Sequence, residues 1–407
     1  MSDLRIEADN EDYAIQNEVQ FAPLLRGCTD RYKIYGFKID KEDSNPSTRV
    51  SYFRSNSGFT ECSLDGSTGS MELNSWADTF VIKAFRPVML NYNGTVGYEL
   101  DHSDQTKKLD GTASDISNTS YDGNAMVGVS RLWFYCYDDG EYEYCEVAAY
   151  QVNDNFKAFA HIGWDGNLKN EVYLPMFEGS YISEKIRSLA GQTPGVSQSG
   201  ETEITYAQAN GDGWYTDDWI NHKMIENLAI LISKSTNCQA SFGRGYVDGN
   251  SAPCTTGTLK DKGMFYGPSG GKYAVKLFYI ENYYGSRYDR IAGVMSKTGY
   301  KVLVKAFPPY NTDGTGYIEY TTLQTSSSYY GYINKCTMTP YGLIPIQTSG
   351  GSETTYYSDY FYLNSGAYYG CYGGAWWNFG GCGLSCLDLN PVFSGLHSDL
   401  GASLSYK

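Results

Sequence analysis

The sequence predicts an α+β fold with few helices, many short strands and long loops, preceded by a small β-rich domain. Three observations predict it. Short runs with strand character recur along the chain, and turn-rich stretches such as Asp65–Ser70 separate them. Only two segments have helical character. The chain also contains 39 Tyr, a residue that half-exposed β structure favours.

Length and charge limit the class of protein. A chain of 407 residues can hold two or three domains. Its net charge of −15 argues against a nucleic acid partner, because phosphate binding needs clustered Lys and Arg. No apolar stretch approaches the roughly 18–20 residues that span a bilayer, so we expect no membrane insertion. Met1–Glu7 lacks the apolar core of a signal peptide, which predicts synthesis in the bacterial cytoplasm and reduced cysteines.

The first 110 residues are predicted to form an arm and a β-rich domain. Residues 1–30 are mostly polar and form the arm. Residues 31–110 form the β-rich domain, which we expect to serve assembly or attachment. Its predicted strands are Tyr32–Ile39, Thr79–Arg86 and Val96–Leu100. The Gly-, Ser- and Asn-rich stretch Asp110–Asp122 marks the boundary with a ligand-binding domain over residues 111–407.

The second domain contains the two predicted helices. Before them, Ala125–Tyr135 is predicted as a strand and Glu143–Val152 as its hairpin partner. Ser183–Ala190 is predicted as a short amphipathic helix. The longer helix runs from about Asp217 to Ser235, with Thr216 as its N-cap. Apolar residues at helical spacing fall on one of its faces: Ile220, Met224, Leu228 and Leu231.

No coherent catalytic or metal-binding set is visible, so the prediction is of no catalytic residue, no metal and no cofactor. The histidines are widely dispersed, at His102, His161, His222 and His397. Nucleophile-elbow chemistry is not indicated, because no G-x-S-x-G motif occurs. Zinc is disfavoured because Cys382 and Cys386 have only Cys371 and His397 nearby.

Calcium stays open as an alternative at two turn-rich places. Calcium prefers oxygen ligands, and Asp and Asn side chains supply them. The candidate pairs are Asn210 with Asp212 and Asn311 with Asp313. Such residues more often cap the backbone of their own turn, which makes a structural role the simpler prediction.

The C-terminal region combines a regular frame with varied residues between its members. The frame residues are Gly373, Gly374, Trp376, Leu384, Leu387, Leu389, Gly401 and Leu404. The intervening positions share no chemistry. This pattern suits a fixed fold that presents interchangeable side chains, whereas a catalytic centre needs specific groups in fixed geometry. If Trp376 fills the core, alternation along the chain points Trp377 outward.

This frame closely resembles the C-terminal variable region of diversity-generating-retroelement variable proteins of the gut-phage type. Ile280–Arg290 resembles a second segment of that family, with its Glu-Asn-aromatic-aromatic-Gly order. The resemblance covers about Asp110 to Lys407. It implies a C-type-lectin-like domain, related to the formylglycine-generating enzyme, with a variable region at about residues 368–405. Phe379 stands where the family usually has Gly.

The resemblance implies a non-enzymatic receptor-binding protein of the phage tail, located in the virion. Its expected partners are a host cell-surface protein or glycan and other phage tail proteins, with a homotrimer as the preferred assembly. The alternatives are an enzyme of the formylglycine-generating type and a bacterial surface adhesin of the same fold. The predicted ligand-binding residues, most of them expected on one exposed face, are Tyr369, Tyr372, Ala375, Trp377, Asn378, Phe379, Gly381, Asn390, Pro391, Gly395, His397 and Asp399.

Overall fold

The computed structural model describes residues 20–322 and 330–407, and strands dominate it. Strands of the first half are β1 Ile34–Asp40, β2 Val50–Arg54, β3 Ser63–Asp65, β4 Ser70–Glu72, β5 Phe85–Asn91, β6 Val96–Glu99, β7 Gly123–Ser130, β8 Trp133–Asp138, β9 Tyr142–Ala148, β10 Glu171–Pro175, β11 Ser180–Ile182, β12 Lys185–Arg187 and β13 Trp214–Thr216. The α-helices are Phe80–Lys83, Gly200–Gln208, Trp219–Ser233 and Cys238–Phe242.

Strands continue through the second half: β14 Lys276–Leu277, β15 Ile280–Glu281, β16 Tyr288–Lys297, β17 Lys301–Val304, β18 Ile318–Thr321, β19 Tyr330–Tyr332, β20 Lys335–Thr339, β21 Gly342–Gln347, β22 Tyr360–Leu363, β23 Tyr369–Gly373, β24 Gly383–Leu389, β25 Leu400–Gly401 and β26 Leu404–Tyr406. Short 3₁₀ turns occur at Pro23–Gly27, Asn74–Trp76, Phe159–His161 and Phe379–Gly381. The predicted mostly-β character with few helices is confirmed.

Three larger sheets organise these strands. The first has the order β2-β1-β9-β8, and the second β13-β26-β10-β7-β5-β6. The third has the order β18-β17-β16-β23-β24-β22-β19, with β25 added beside β16. Pairing crosses the predicted boundary near residue 110, since β1 pairs with β9 and β5 pairs with β7. Apart from the hairpin β3–β4, the strands of residues 31–110 therefore belong to sheets that also contain later residues.

The helix Trp219–Ser233 lies in the centre of the molecule and is buried on every side. It packs against β1, β16 and β21. One pair of its charged residues is satisfied internally: Lys223 Nζ donates to Glu226 at 2.5 Å, and Ser385 Oγ donates to the same carboxylate at 2.6 Å. Pairing of this kind is what permits charged side chains to be buried. The single apolar face predicted from spacing is thus only part of its contact surface.

The start of the longer helix differs from the prediction, and the shorter predicted helix does not form. The N-cap is Asp218, whose carboxylate accepts from the Asn221 amide at 3.0 Å, whereas Thr216 belongs to β13. The helix predicted at Ser183–Ala190 is wrong, because the chain forms the hairpin β11–β12 there. Ser183 and Glu184 have φ of 50° and 59°, the left-handed pair that a tight hairpin turn requires.

Other predicted elements are confirmed in part. Tyr32–Ile39 and Val96–Leu100 correspond to β1 and β6. Thr79–Arg86 begins with the helical turn Phe80–Lys83 and continues as β5. Ala125–Tyr135 divides into β7 and β8, and the predicted partner segment Glu143–Val152 supplies most of β9, which pairs with β8 and not with β7.

The described part of the predicted N-terminal arm packs onto the body. Leu25 is fully buried, and the Phe21 ring lies edge-on to Tyr32 with 5.2 Å between centroids. Residues 1–19 lie outside the described residues. The predicted arm is therefore a packed segment from residue 20 onward.

A buried carboxyl on β9 gives a prediction for the pH dependence of stability. Glu143 is fully buried and accepts from Tyr357 Oη at 2.6 Å. Burial raises its pKa to about 7, although the charges of Arg49 and Lys41 lower it. Between its unfolded value and about 7, the folded state holds the extra proton. The free energy of unfolding therefore falls as the pH rises through this window.

We expect Glu143→Gln to remove this decrease in the free energy of unfolding, because the amide cannot ionise. Between pH 5 and 7 the unfolding free energy of the native protein should fall by about 2 kcal/mol relative to the variant. Urea denaturation at four pH values in this range measures the difference. Parallel pH profiles for the two proteins would contradict it.

Candidate functional site

The C-terminal frame places a short loop between two central strands. β23 lies between β16 and β24 in the third sheet, and the chain turns after it at Gly373 and Gly374. Both glycines have positive φ, of 88° and 81°. A Cβ on Gly374 would lie 2.4 Å from Cys382 Sγ. Only glycine therefore fits this turn, because it combines a left-handed backbone with close contact.

The loop after the turn is held by its own backbone and by Asn378. The Asn378 carboxamide accepts from the Ala375 amide at 2.7 Å, and the Asn378 amide donates to the Ala375 carbonyl at 3.1 Å. Trp376 is also tied through its main chain, to Ser286 and Asn250. Asn378 thus shapes the loop with its side chain.

The predicted burial of the frame is confirmed for all its members. Gly373, Gly374, Leu384, Leu387, Leu389, Gly401 and Leu404 are buried. Trp376 is 9% exposed, whereas its neighbour Trp377 is 47% exposed. The adjacent tryptophans therefore have opposite environments, as alternation predicts.

Exposed apolar side chains are concentrated beside this frame. Of the eleven large apolar side chains that are exposed in the described residues, four lie between positions 377 and 396. They are Trp377, Phe379, Val392 and Leu396. Phe379 has φ of 52°, a conformation that non-glycine residues rarely adopt. A glycine would adopt this conformation without a steric cost.

A second loop, residues 390–400, lies against the first. Trp377 Nε1 donates to Asp399 Oδ2 at 3.1 Å. His397 is exposed, and Gly395 lies so close to its imidazole that a Cβ there would be 2.8 Å from Nε2. We call Trp377, Asn378, Phe379, His397 and Asp399 the aromatic face.

Main-chain carbonyl groups fix the second loop to the body. The Pro391, Phe393, His397 and Asp399 carbonyls accept from the amides of Tyr369, Gly200, Ser197 and Tyr288 at 2.8–3.1 Å. Arg290, which is buried, donates to the carbonyls of Val392 and Gly395. These hydrogen bonds use backbone atoms of the loop. They therefore do not require particular side chains at most of its positions.

Four predicted site residues are buried, contrary to expectation. Tyr369 packs with Tyr215 and Tyr310, and the Tyr372 ring lies 4.1 Å from that of His222. Both are on β23, and neighbouring elements cover both faces of this central strand. Ala375 is fully buried, and a Cβ on the buried Gly381 would lie 3.3 Å from Tyr360. These four residues therefore belong to the interior and are not part of the exposed surface.

Asn390 and Pro391 bond to residues outside the aromatic face. The Pro391 carbonyl accepts from the Tyr369 amide at 3.1 Å. Asn390 accepts from the Asn364 carboxamide at 2.9 Å. A hydrogen bond thus joins Trp377 to Asp399 within the aromatic face, whereas Asn390 and Pro391 bond elsewhere.

One acidic residue of the C-terminal region, Asp388, is not among the predicted site residues. Asp388 is partly buried on β24, and burial together with the Asp399 charge raises its pKa. The signal was present, since Asp388 alternates with the frame residues Leu387 and Leu389. The neighbourhood of the face is thus acidic, and residues 368–405 contain no Lys or Arg.

The histidines and cysteines have separate, inert surroundings. His161 and His222 are buried, each bonded to a main-chain carbonyl, and burial lowers the pKa of His161 to about 3. His102 pairs with Glu99, far along the chain from His397. Burial raises the thiol pKa of Cys371, Cys382 and Cys386, which keeps these thiols protonated.

Metal ligation finds no support in the described residues. Within residues 20–322 and 330–407, no three His, Cys, Asp or Glu side chains are grouped to hold an ion. Asn311 and Asp313 accept from the amides of Gly314 and Thr315, as turn-capping residues do. Asn210 accepts from Asn124 and donates to main-chain carbonyls. The absence of catalysis stays a prediction.

Comparison with known proteins gives no family. No protein-family model and no curated protein matches the sequence. Among solved structures, the chain is similar to the "Major Tropism Determinant U1 Variant", with 8% identity over 80% of this chain and 72% of that chain. The TM-score is 0.32, a level that establishes neither a shared fold nor a shared function. In the described part of the chain, no helix has the length and apolar character needed to cross a membrane.

Proposed function

We propose that the chain is a receptor-binding protein of a phage tail, which binds a host-surface ligand through the aromatic face. The resemblance of the C-terminal frame to variable proteins supports the phage assignment and a C-type-lectin-like domain. The host ligand is a protein loop or a neutral glycan. The protein acts in the virion without catalysis, beside other tail proteins, and a homotrimer is the proposed assembly.

The observation that carries this proposal is the contrast between frame and face. Trp377 and Phe379 are exposed, although residues immediately beside them are buried and held by main-chain hydrogen bonds. Exposed apolar groups that cluster on a rigid support mark interaction surfaces. Tryptophan is also the residue that most often dominates the energy of an interface.

The chemistry of the face selects the kind of ligand. Asn378, His397 and Asp399 offer hydrogen-bonding groups beside the two aromatic rings. The absence of Lys and Arg from residues 368–405 disfavours strongly anionic polymers. Aromatic contact area with a few polar groups suits neutral sugars and peptide loops.

We expect Trp377→Ala to weaken binding of the purified chain to host cells by a factor of about 30 or more. This corresponds to about 2 kcal/mol, the size of an interface hot spot. The melting temperature should stay nearly unchanged, because the ring is half-exposed and bonds only to Asp399 in the described residues. Cell-binding titrations and thermal unfolding measure the two effects.

Tyr330→Ala is the matched control, because Tyr330 is 52% exposed and lies on β19 at the edge of the same sheet. It should leave cell binding unchanged. Normal binding by a well-folded Trp377→Ala protein would show that the aromatic face is not the receptor site.

A further inference from the structure

A second concave site lies outside the aromatic face. It is a groove of about 590 Å³ between the β3–β4 turn and the loops 254–262 and 266–274. Ligand pockets in proteins commonly have volumes of about 300–1,000 Å³. We call it the tyrosine groove, and the residues that its chemistry depends on are Ser67, Thr258, Lys262, Tyr266, Lys272 and Tyr273.

The groove has an apolar floor and aromatic sides. Cys254, Leu259 and Ala274 form a small buried cluster, against which Tyr266 packs. Tyr273 is 60% exposed, although it is a large aromatic residue. A tyrosine ring offers an apolar surface together with a polar hydroxyl group. A flat ligand with one apolar side and several hydroxyl groups fits this combination.

The charged residues that line the groove are both lysines. Its lining includes Lys262 and Lys272 and no Asp or Glu, whereas the whole chain has a net charge of −15. Lys262 Nζ lies 5.3 Å from the centre of the Tyr266 ring and only loosely approaches Asp261, at 3.9 Å. Lys272 forms no ion pair in the described part of the chain.

Behind the floor, the buried charges balance. Lys276 donates to the carbonyls of Leu259 and Lys262. Glu281 accepts from the amides of Thr258 and Leu259. These residues carry opposite charges, so Lys262 and Lys272 are the two cations on the rim, with the carboxylates of Asp261 and Asp65 beside Lys262 and Ser67.

The walls of the groove are fixed before any ligand binds. The Ser269 amide donates to the Gly66 carbonyl at 2.9 Å, and the Gly267 amide donates to the Gly69 carbonyl at 2.8 Å. Gly69 has φ of 78°, and a Cβ there would lie 2.8 Å from the Tyr266 ring. A preformed site of this kind loses little conformational entropy on binding.

We propose that the tyrosine groove binds a sugar residue that carries a carboxylate. The pyranose ring lies on the tyrosine rings and the apolar floor, Ser67 and Thr258 bond to hydroxyl groups, and Lys262 and Lys272 bind the carboxylate. The loop 246–250 connects the groove with the aromatic face, since the Asp248 amide donates to Gly271 and the Asn250 amide to Trp376. The groove proposal depends on its own geometry and holds whether or not the aromatic face binds a receptor.

Isothermal titration calorimetry of the full chain with trigalacturonate tests this proposal. We expect binding at pH 7 that weakens at least tenfold for the methyl ester, which has no charge. Lys262→Met and Lys272→Met should each weaken it several-fold, and Tyr273→Ala about tenfold. Lys33→Met and Tyr330→Ala, which change exposed residues outside the groove, serve as matched controls and should leave affinity unchanged.

Each other outcome would overturn the assignment. No heat at millimolar trigalacturonate, equal affinity for the ester, or unchanged affinity in all three groove variants would show that the groove is not an acidic-sugar site. Trp377→Ala should bind trigalacturonate normally. Failure of the receptor proposal and failure of the groove proposal are therefore distinguishable. Circular dichroism of each variant verifies its folding.

Discussion

Trp376→Ala is expected to lower the free energy of unfolding by about 3–5 kcal/mol, the usual cost of removing a buried tryptophan side chain. The ring is 9% exposed, directly after the Gly373–Gly374 turn. Its main chain is held by Ser286 and Asn250, so the loop cannot easily collapse into the cavity. Urea denaturation at constant pH measures the loss.

Trp377→Ala is the natural control for this prediction, because it removes the same side chain one position further along. It should change the unfolding free energy by less than about 1 kcal/mol, as exposed substitutions do. Equal losses in the two variants would mean that the division into frame and face is wrong at this loop.

Arg287→Met should cost about 3–5 kcal/mol, because it leaves buried carboxylates without their cation. The Arg287 side chain is completely buried and donates to Asp289 Oδ1 at 2.9 Å and to Ser403 Oγ at 3.2 Å. It also donates to the carbonyls of Gly179 and Gly195. Five residues from four segments of the chain, counting Glu178 at 3.7 Å, thus meet at one guanidinium group.

Chemical denaturation of two further variants shows whether the charge of Arg287 or the geometry of its donors provides the stability. Arg287→Lys keeps the charge but lacks the fork of donors, so we expect an intermediate loss. Lys83→Met breaks the exposed pair with Asp78, and such pairs contribute at most about 1 kcal/mol. A loss for Arg287→Met as small as that for Lys83→Met would contradict the assigned role.

The frame was predictable from sequence because its signals are local. A Gly-Gly turn, a Trp pair and leucines two residues apart are each typical of a particular backbone state, whatever lies around them. The same reasoning was wrong for Tyr369 and Tyr372. Alternation shows that successive residues face opposite sides of a strand, but it does not show whether the second side is covered.

Long-range pairing explains the remaining differences. The sheet of β5, β6 and β7 joins residues on both sides of a loop-like stretch, and composition alone carries no information on such partners. The predicted helix at Ser183–Ala190 had too few residues for its periodicity to distinguish a helix from a hairpin. The tyrosine groove was missed because the β3–β4 turn, which forms one side of it, is distant in sequence from the loops 254–262 and 266–274.

The backbone anchoring of residues 390–400 has a consequence for evolution and for engineering. Nearly every amino acid supplies the same main-chain carbonyl, so selection can exchange side chains in this loop while its path is preserved. Positions 396 and 397 are suitable for saturation libraries, since both side chains are exposed. Such a library would explore new specificities at almost constant folding stability, which is the property that a recognition surface under rapid change requires.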